Sequence, residues 1–84
     1  MRYTIIWSDT AYEDLADIYL AVGNGPLLDH ALGRIEKELQ VDADRKGRTT
    51  GDGDTLFRYD PLLVFFSFDA VAREVEILSV AYTR

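Results

Sequence analysis

The chain has 84 residues, of which 48% are hydrophobic and 12% aromatic. This is enough for one domain with a small hydrophobic core, and it argues against a disordered segment or two domains. The absence of cysteine excludes disulfides and thiolate metal sites. No apolar run approaches the roughly 18 residues that span a membrane. We therefore expect a cytoplasmic protein without a membrane partner.

The net charge of −6 is unevenly distributed. Residues 1–44 hold nine acidic and three basic side chains, whereas residues 45–84 hold six of each. Because Lys and Arg drive binding to phosphate backbones, an acidic protein is a poor general nucleic-acid binder. Any contact with RNA or DNA is expected through a local patch in the second half, and the acidic half either faces a basic partner or keeps the protein soluble.

The first predicted strand covers residues 3–7. Its sequence, YTIIW, is rich in β-branched and aromatic residues and is largely apolar on both faces. This pattern predicts a strand that is covered on both sides rather than an edge strand.

Two helices are predicted next. Ser8, Asp9 and Thr10 are the N-cap candidates of the first helix, Thr10 with Glu13 fits a capping box, and the segment Gly23-Asn24-Gly25 ends the helix. Pro26 suits the first turn of the second helix, which is expected to fade near residues 42–44. The short loop between them predicts an antiparallel hairpin. The apolar positions at three- and four-residue spacing are Ala11, Leu15, Ile18, Tyr19, Val22, Leu28, Ala31, Leu32, Ile35 and Leu39.

The second half begins with residues 45–54, RKGRTTGDGD, which predict a mobile surface loop. Three strand-like runs follow, at Thr55–Asp60, Leu62–Phe68 and Glu74–Tyr82. The middle run is apolar on both faces and is expected to be a central strand. Short turns between the runs require antiparallel neighbours.

The predicted fold class is α+β: a strand, a two-helix hairpin, then three antiparallel strands, with both helices packed on one face of the sheet. Residues 1–84 are expected to form this single domain.

Three strings in this order carry a family resemblance: YTIIWSDTAYEDLADIY, RYDPLLVFFSFD and VEILSVAYTR. With them the chain resembles the RelE/ParE toxin superfamily over nearly its whole length. The resemblance implies a bacterial toxin of a type II toxin–antitoxin system, of the kind associated with plasmid stabilisation, neutralised by a cognate antitoxin protein. RelE-like members cleave ribosome-bound mRNA, and ParE-like members inhibit DNA gyrase. No cofactor and no metal are expected.

The resemblance also implies candidate catalytic residues. Metal-free RNA cleavage needs a base, cations around the phosphate, and an acid for the leaving oxygen. The positions that match the family pattern are Arg58, Tyr82 and Arg84. Leu63 falls where many ribonuclease members carry an arginine, which argues against ribonuclease activity. The leading interpretation is a toxin component that binds its antitoxin, and Leu63 with the net charge of −6 favours a non-enzymatic binder, either a degenerate toxin or a gyrase inhibitor. The alternatives are an active mRNA endonuclease and a stand-alone structural domain that shares the topology.

The same three residues have ordinary structural interpretations. Arg58 binds phosphate, or it pairs with Asp60 or Glu76 across the sheet. Tyr82 and Arg84 act as acid and phosphate clamp, or the tyrosine completes the core while the arginine lies in solvent.

The basic cluster Arg45, Lys46 and Arg48 is the candidate phosphate- or RNA-binding segment. Ordinary solvation of a glycine-rich loop explains the same charges equally well. His30 is the single histidine and has no partners at metal-ligand spacing, so a surface or helix-packing role is expected.

Overall fold

A computed structural model describes residues 2–43, 48–49 and 54–83, with the pair 48–49 described by its backbone alone. The elements in chain order are β1 (Thr4–Trp7), α1 (Asp9–Val22), α2 (Gly25–Asp42), β2 (Arg48–Thr49), β3 (Thr55–Tyr59), β4 (Leu62–Asp69) and β5 (Glu74–Tyr82). The described strands form one sheet in the order β1-β5-β4-β3-β2. β1 pairs with β5 in parallel, and the other neighbours are antiparallel. The α+β class, the helical pair and the central position of β4 are thus confirmed.

Two predictions about the strands were wrong. β1 is an edge strand in the described sheet, since β5 is its one partner, and Ile6 is 42% exposed. The side of β1 that has no partner strand is covered in part by α2. There the Gln40 carbonyl accepts a hydrogen bond from the N–H of Tyr3, just before β1, at 2.7 Å. Within the stretch predicted as a loop, Arg48–Thr49 forms β2 against β3, while residues 44–47 and 50–53 lie outside the described residues.

The hydrophobic core lies between the sheet and the two helices. α2 contributes the predicted apolar face, of which Leu28, Ala31, Ile35 and Leu39 are fully buried. The facing residues of β4 are also fully buried, at Leu62, Val64 and Phe66. Alternation along each strand therefore gives the sheet one face toward the helices and an opposite face, which we call the open face. No helix in the described part of the chain is long and apolar enough to cross a membrane.

α1 is capped at the first of the N-cap candidates, two residues before Thr10. Ser8 is the N-cap, and its hydroxyl oxygen accepts a hydrogen bond from the Ala11 N–H at 3.1 Å. The Thr10–Glu13 capping box was wrong, because Thr10 already lies within the helix. Ser8 is the cap because its N–H is still hydrogen-bonded to β5. This bond keeps the backbone of Ser8 in the extended conformation that an N-cap residue needs.

The turn between the helices follows the predicted chemistry. Gly23 ends α1 with φ of 73°, and its N–H donates to the Tyr19 carbonyl at 3.1 Å. Asn24 then caps α2 by accepting from the Leu27 N–H at 3.2 Å, and Pro26 lies in the first turn.

A register shift interrupts β5 opposite the step from Phe65 to Phe66 on β4. α1 stabilises the irregular backbone there. The Ser8 hydroxyl donates to the Leu78 carbonyl at 3.0 Å, and the Asp14 carboxylate accepts from the Val80 N–H at 3.1 Å. The start of α1 is thereby held over the second half of β5.

Candidate functional site

One residue of the candidate catalytic set, Arg58, lies at a corner of the sheet where β3, β4 and the end of β5 meet. Arg58 Nε donates to Asp60 Oδ1 at 2.7 Å, and the same oxygen accepts from the Thr83 hydroxyl at 3.4 Å. The Thr83 N–H also donates to the Pro61 carbonyl at 2.7 Å, across a turn whose Asp60–Pro61 peptide bond is cis. We call this cluster of Arg58, Asp60, Pro61 and Thr83 the C-terminal corner.

The ion pair at this corner is largely solvated. The side chains of Arg58 and Asp60 are 61% and 72% exposed. An exposed pair of this kind contributes little to stability because water already solvates both charges. Of the two ion-pair partners considered for Arg58, Asp60 is the one that it contacts. A shallow depression of about 370 Å³ beside the pair is lined by Arg58, Tyr59 and Asp60.

The strand register separates Arg58 from Tyr82. Arg58 is opposite Leu63, and Leu63 is opposite Ala81, so these three residues share the open face. Leu62, on the helix-facing side, is the cross-strand partner of Tyr82. Since adjacent cross-strand partners point to the same face, Tyr82 projects toward the helices. The two predicted catalytic side chains therefore lie on opposite faces of the sheet.

Tyr82 and Leu63 occupy environments that fit this separation. Tyr82 is half-buried and packs against the hydrophobic core. Leu63 is half-buried on the open face directly beside Arg58, at the position where the resemblance implies a second cation. Among the described side chains, this part of the open face thus presents the Arg58 guanidinium, already paired with a carboxylate, next to the aliphatic Leu63.

The other predicted site residues fall where side chains are not described. Arg45, Lys46 and Arg84 lie outside the described residues. Arg48 belongs to β2, opposite Leu56 on β3, and only its backbone is described. The basic segment therefore stays a prediction.

The opposite end of the sheet is acidic. A shallow depression of about 300 Å³ lies at the junction of β1, β5 and β4. Its lining residues are Ile6, Ser67, Phe68, Asp69, Glu74 and Glu76. These carboxylates repel phosphate, and no group of His, Cys, Asp or Glu among the described residues is arranged to hold a metal ion. The end of the sheet remote from Arg58 is consequently unsuited to RNA.

One tyrosine has a clearly displaced pKa. The Tyr19 hydroxyl donates to Asp29 Oδ1, joining α1 to α2. This hydrogen bond, helped by burial and by the negative charge of Asp29, raises the pKa of Tyr19 to about 12. A tyrosine held in its protonated form is a poor base, so the pair is a structural link between the helices.

Sequence reasoning missed two features of the surface. The pairing of Arg58 with Asp60 was among the interpretations, but the hydrogen bond that the same carboxylate accepts from Thr83 was not expected. On α1, Tyr12 and Leu20 are 58% and 84% exposed. Their spacing, outside the predicted core face, could have indicated a second apolar face.

The element order, the mixed sheet and the helical pair define a small α+β domain. No protein-family model and no curated protein matches the sequence. Among solved structures, the toxin–antitoxin complex RelBE2 from Mycobacterium tuberculosis contains a chain with a TM-score of 0.82 and 20% identity, the match covering 98% of this chain and 99% of that one. The chromosomal ParDE toxin–antitoxin system from P. aeruginosa contains a chain with a TM-score of 0.76 and 20% identity, covering 99% of this chain and 98% of that one. At this identity the likeness shows the fold alone: the chain shares the fold of these two chains, which is the fold that the resemblance predicted.

Proposed function

We propose that this chain is the toxin-fold component of a type II toxin–antitoxin module and that it binds a cognate antitoxin. The observation that carries the proposal is the end-to-end match to chains from two toxin–antitoxin systems, at TM-scores of 0.82 and 0.76. The match covers 98% or more of each chain, so the likeness extends over the whole α+β fold and is not limited to a shared fragment. Bacterial origin and cytoplasmic residence follow from the same proposal.

We further propose that the chain does not cleave mRNA. Cleavage needs a base, an acid and cations within reach of one phosphate. Here Arg58 is paired with Asp60, its neighbour on the open face is Leu63, and Tyr82 faces the helices. The net charge of −6 adds a general repulsion of RNA. The retained role is then binding of the antitoxin.

Regulated expression in a bacterial host tests both parts. Growth is recorded with and without the protein encoded by the neighbouring reading frame, and primer extension on a few transcripts detects mRNA cuts. We expect a soluble, folded chain that causes no cuts and co-purifies in stoichiometric amounts with the neighbouring protein. Codon-positioned cuts would refute the loss of catalysis, and growth arrest without cuts would indicate another target such as gyrase.

A matched variant strengthens the experiment if cuts do occur. Arg58→Ala removes the candidate phosphate ligand, whereas Arg73→Ala removes an exposed arginine from the turn between β4 and β5, away from the C-terminal corner. Cleavage by the Arg73 variant but not by the Arg58 variant would assign activity to the corner. Equal cleavage by both would remove Arg58 from the site.

A further inference from the structure

The Asp60 carboxylate is bound by side chains from two parts of the C-terminal corner. Its Oδ1 atom accepts from Arg58 Nε at 2.7 Å and from the Thr83 hydroxyl at 3.4 Å. The Thr83 N–H donates to the Pro61 carbonyl at 2.7 Å, which holds the end of the described chain against the same turn. These contacts keep the carboxylate next to the Arg58 guanidinium.

The pairing of Asp60 with Arg58 is local in sequence. Asp60 directly follows β3 and lies two residues after Arg58. Residues two apart along a strand lie on the same face, and the observed contact shows that the carboxylate stays on the side that carries the guanidinium. Both residues belong to one hairpin, so the contact needs no partner protein. The carboxylate is therefore in place before any anion approaches.

The surroundings of Arg58 supply no charge that offsets this carboxylate. Among the described side chains of the C-terminal corner, Arg58 is the one cation. Its neighbours across the sheet are Leu63 and, beyond it, Ala81, and both are uncharged. The depression of about 370 Å³ beside Arg58 is lined by Asp60 as well. An anion that enters it meets the guanidinium and the carboxylate together.

The size of this opposition follows from distance and solvation. A phosphate in contact with the Arg58 guanidinium would lie roughly 5 Å from the Asp60 carboxylate, by ordinary hydrogen-bond lengths. This separation is shorter than the Debye length of about 8 Å at physiological salt, so the repulsion is only partly screened. Both side chains are more than half exposed, which places the interaction at the weak, solvated end of the range. The carboxylate is then expected to lower phosphate affinity about tenfold.

We propose that Asp60 acts as an internal anion that occupies Arg58 and makes the C-terminal corner reject phosphodiesters. Asp60 is thus the residue that determines which ligands this corner accepts. The inference rests on the proposed function, in which the corner does not act on mRNA, and it assigns that loss to one side chain. Replacing the carboxylate by a neutral amide should restore binding of a phosphodiester through Arg58.

The test measures binding of a hexauridylate to the purified chain by amide shifts in solution. Asp60→Asn should bind it about tenfold more tightly than the wild type, with the largest shifts at Arg58 and Leu63. The gain should shrink as salt is raised. Adding Arg58→Ala to Asp60→Asn should return the affinity to that of the wild type. Wild-type affinity in Asp60→Asn, or a gain that survives Arg58→Ala, would overturn the inference.

Asp69→Asn is the matched control for charge. It also removes one carboxylate from the protein, but Asp69 lies at the far end of β4 from the C-terminal corner. An asparagine there can still accept the hydrogen bonds that Asp69 Oδ1 receives from the N–H groups of Val71 and Ala72. Its affinity for hexauridylate should stay within about twofold of the wild type, because the two sites are separated by more than a Debye length. An equal gain in both asparagine variants would show that net charge alone acts, and it would refute the role of Asp60.

Thr83→Val separates the charge of Asp60 from its structural contact. This variant removes the hydroxyl that donates to Asp60 but leaves the carboxylate on Arg58. A role of Asp60 limited to holding the end of the chain would give the same affinity change in Thr83→Val and Asp60→Asn. We expect hexauridylate binding to be unchanged in Thr83→Val.

The binding experiment contains neither ribosomes nor a second protein, so its result is independent of the proposed function. Cleavage of mRNA by the wild type, together with a gain in Asp60→Asn, would refute the proposed loss of catalysis and leave the role of Asp60 standing. Absence of cleavage without any gain in Asp60→Asn would leave the proposed function standing and overturn the inference.

Discussion

Replacing Ser8 by alanine should destabilise the protein far more than a surface serine usually does. The Ser8 hydroxyl makes two hydrogen bonds: it accepts from the Ala11 N–H at 3.1 Å and donates to the Leu78 carbonyl at 3.0 Å. Loss of an N-cap costs about 0.5–2 kcal/mol, and loss of a part-buried neutral hydrogen bond about 0.5–1.5 kcal/mol. We expect a total near 2 kcal/mol.

That loss is large for a domain of this size. About 0.05–0.15 kcal/mol of stability per residue gives roughly 4–12 kcal/mol for the whole chain. The melting temperature of the Ser8→Ala variant should therefore fall by about 8–16 °C. Urea unfolding followed by circular dichroism measures the free energy directly, and an unchanged slope would show that the same surface unfolds.

Two further variants separate the contributions. Thr10→Ala changes the residue that the sequence pattern nominated as a cap, and because Thr10 is exposed within α1 it should alter stability by no more than about 0.5 kcal/mol. Ser8→Asp keeps a cap acceptor but brings a carboxylate against the Leu78 carbonyl, so it should not restore wild-type stability. Equal losses in Ser8→Ala and Thr10→Ala, or full stability in Ser8→Asp, would refute this account of how α1 is joined to β5.

Four other substitutions probe separate parts of the structure. Leu39→Ala empties a fully buried position in α2 and should cost about 2–5 kcal/mol, measured by the same unfolding experiment. Gly23→Ala places a side chain at φ of 73° and should cost about 1 kcal/mol or more, whereas a gain in stability would contradict the turn geometry. Arg58→Ala breaks an exposed ion pair and should change unfolding free energy by less than about 1 kcal/mol, so a larger loss would mean that the corner is structural. Tyr19→Phe removes the hydrogen bond to Asp29; because the pKa of Tyr19 is raised to about 12, the stabilisation is complete below pH 10 and disappears as the pH rises through 12. The stability difference between wild type and Tyr19→Phe should therefore be constant up to pH 10 and shrink above it, and a difference that persists at pH 12 would refute the pKa shift.

The candidate site was only partly predictable from the sequence. The positions of Arg58 and Leu63 on neighbouring strands followed from the short Asp60–Pro61 turn, and the structure pairs them directly. The opposite orientation of Tyr82 did not follow, because the face on which a residue lies depends on the register of β5 against β4, and one residue of slip reverses it. Because the register of β5 against β4 shifts at Phe65–Phe66, the face of Tyr82 does not follow from counting alternate residues along the sequence.

The exposure of Tyr12 and Leu20 on α1 was also not predictable from local sequence. Periodicity identified Ala11 and Ile18 as core residues, and both are buried. The same helix also has apolar residues at Tyr12 and Leu20, and sequence periodicity alone does not say how wide a face the sheet covers. Only the packing of α1 over β5 leaves those two side chains in solvent.

By itself the sequence determined the class of fold, the order of the elements and most of the core, since these depend on local periodicity, on Gly and Pro at turns, and on which side chains avoid water. The parallel pairing of β1 with β5, the edge position of β1 and the choice of Ser8 over Thr10 as the cap were decided by tertiary structure. Each of these joins residues about 70 positions apart, such as Ser8 and Leu78, and a contact between distant residues leaves no mark on the local pattern of either segment.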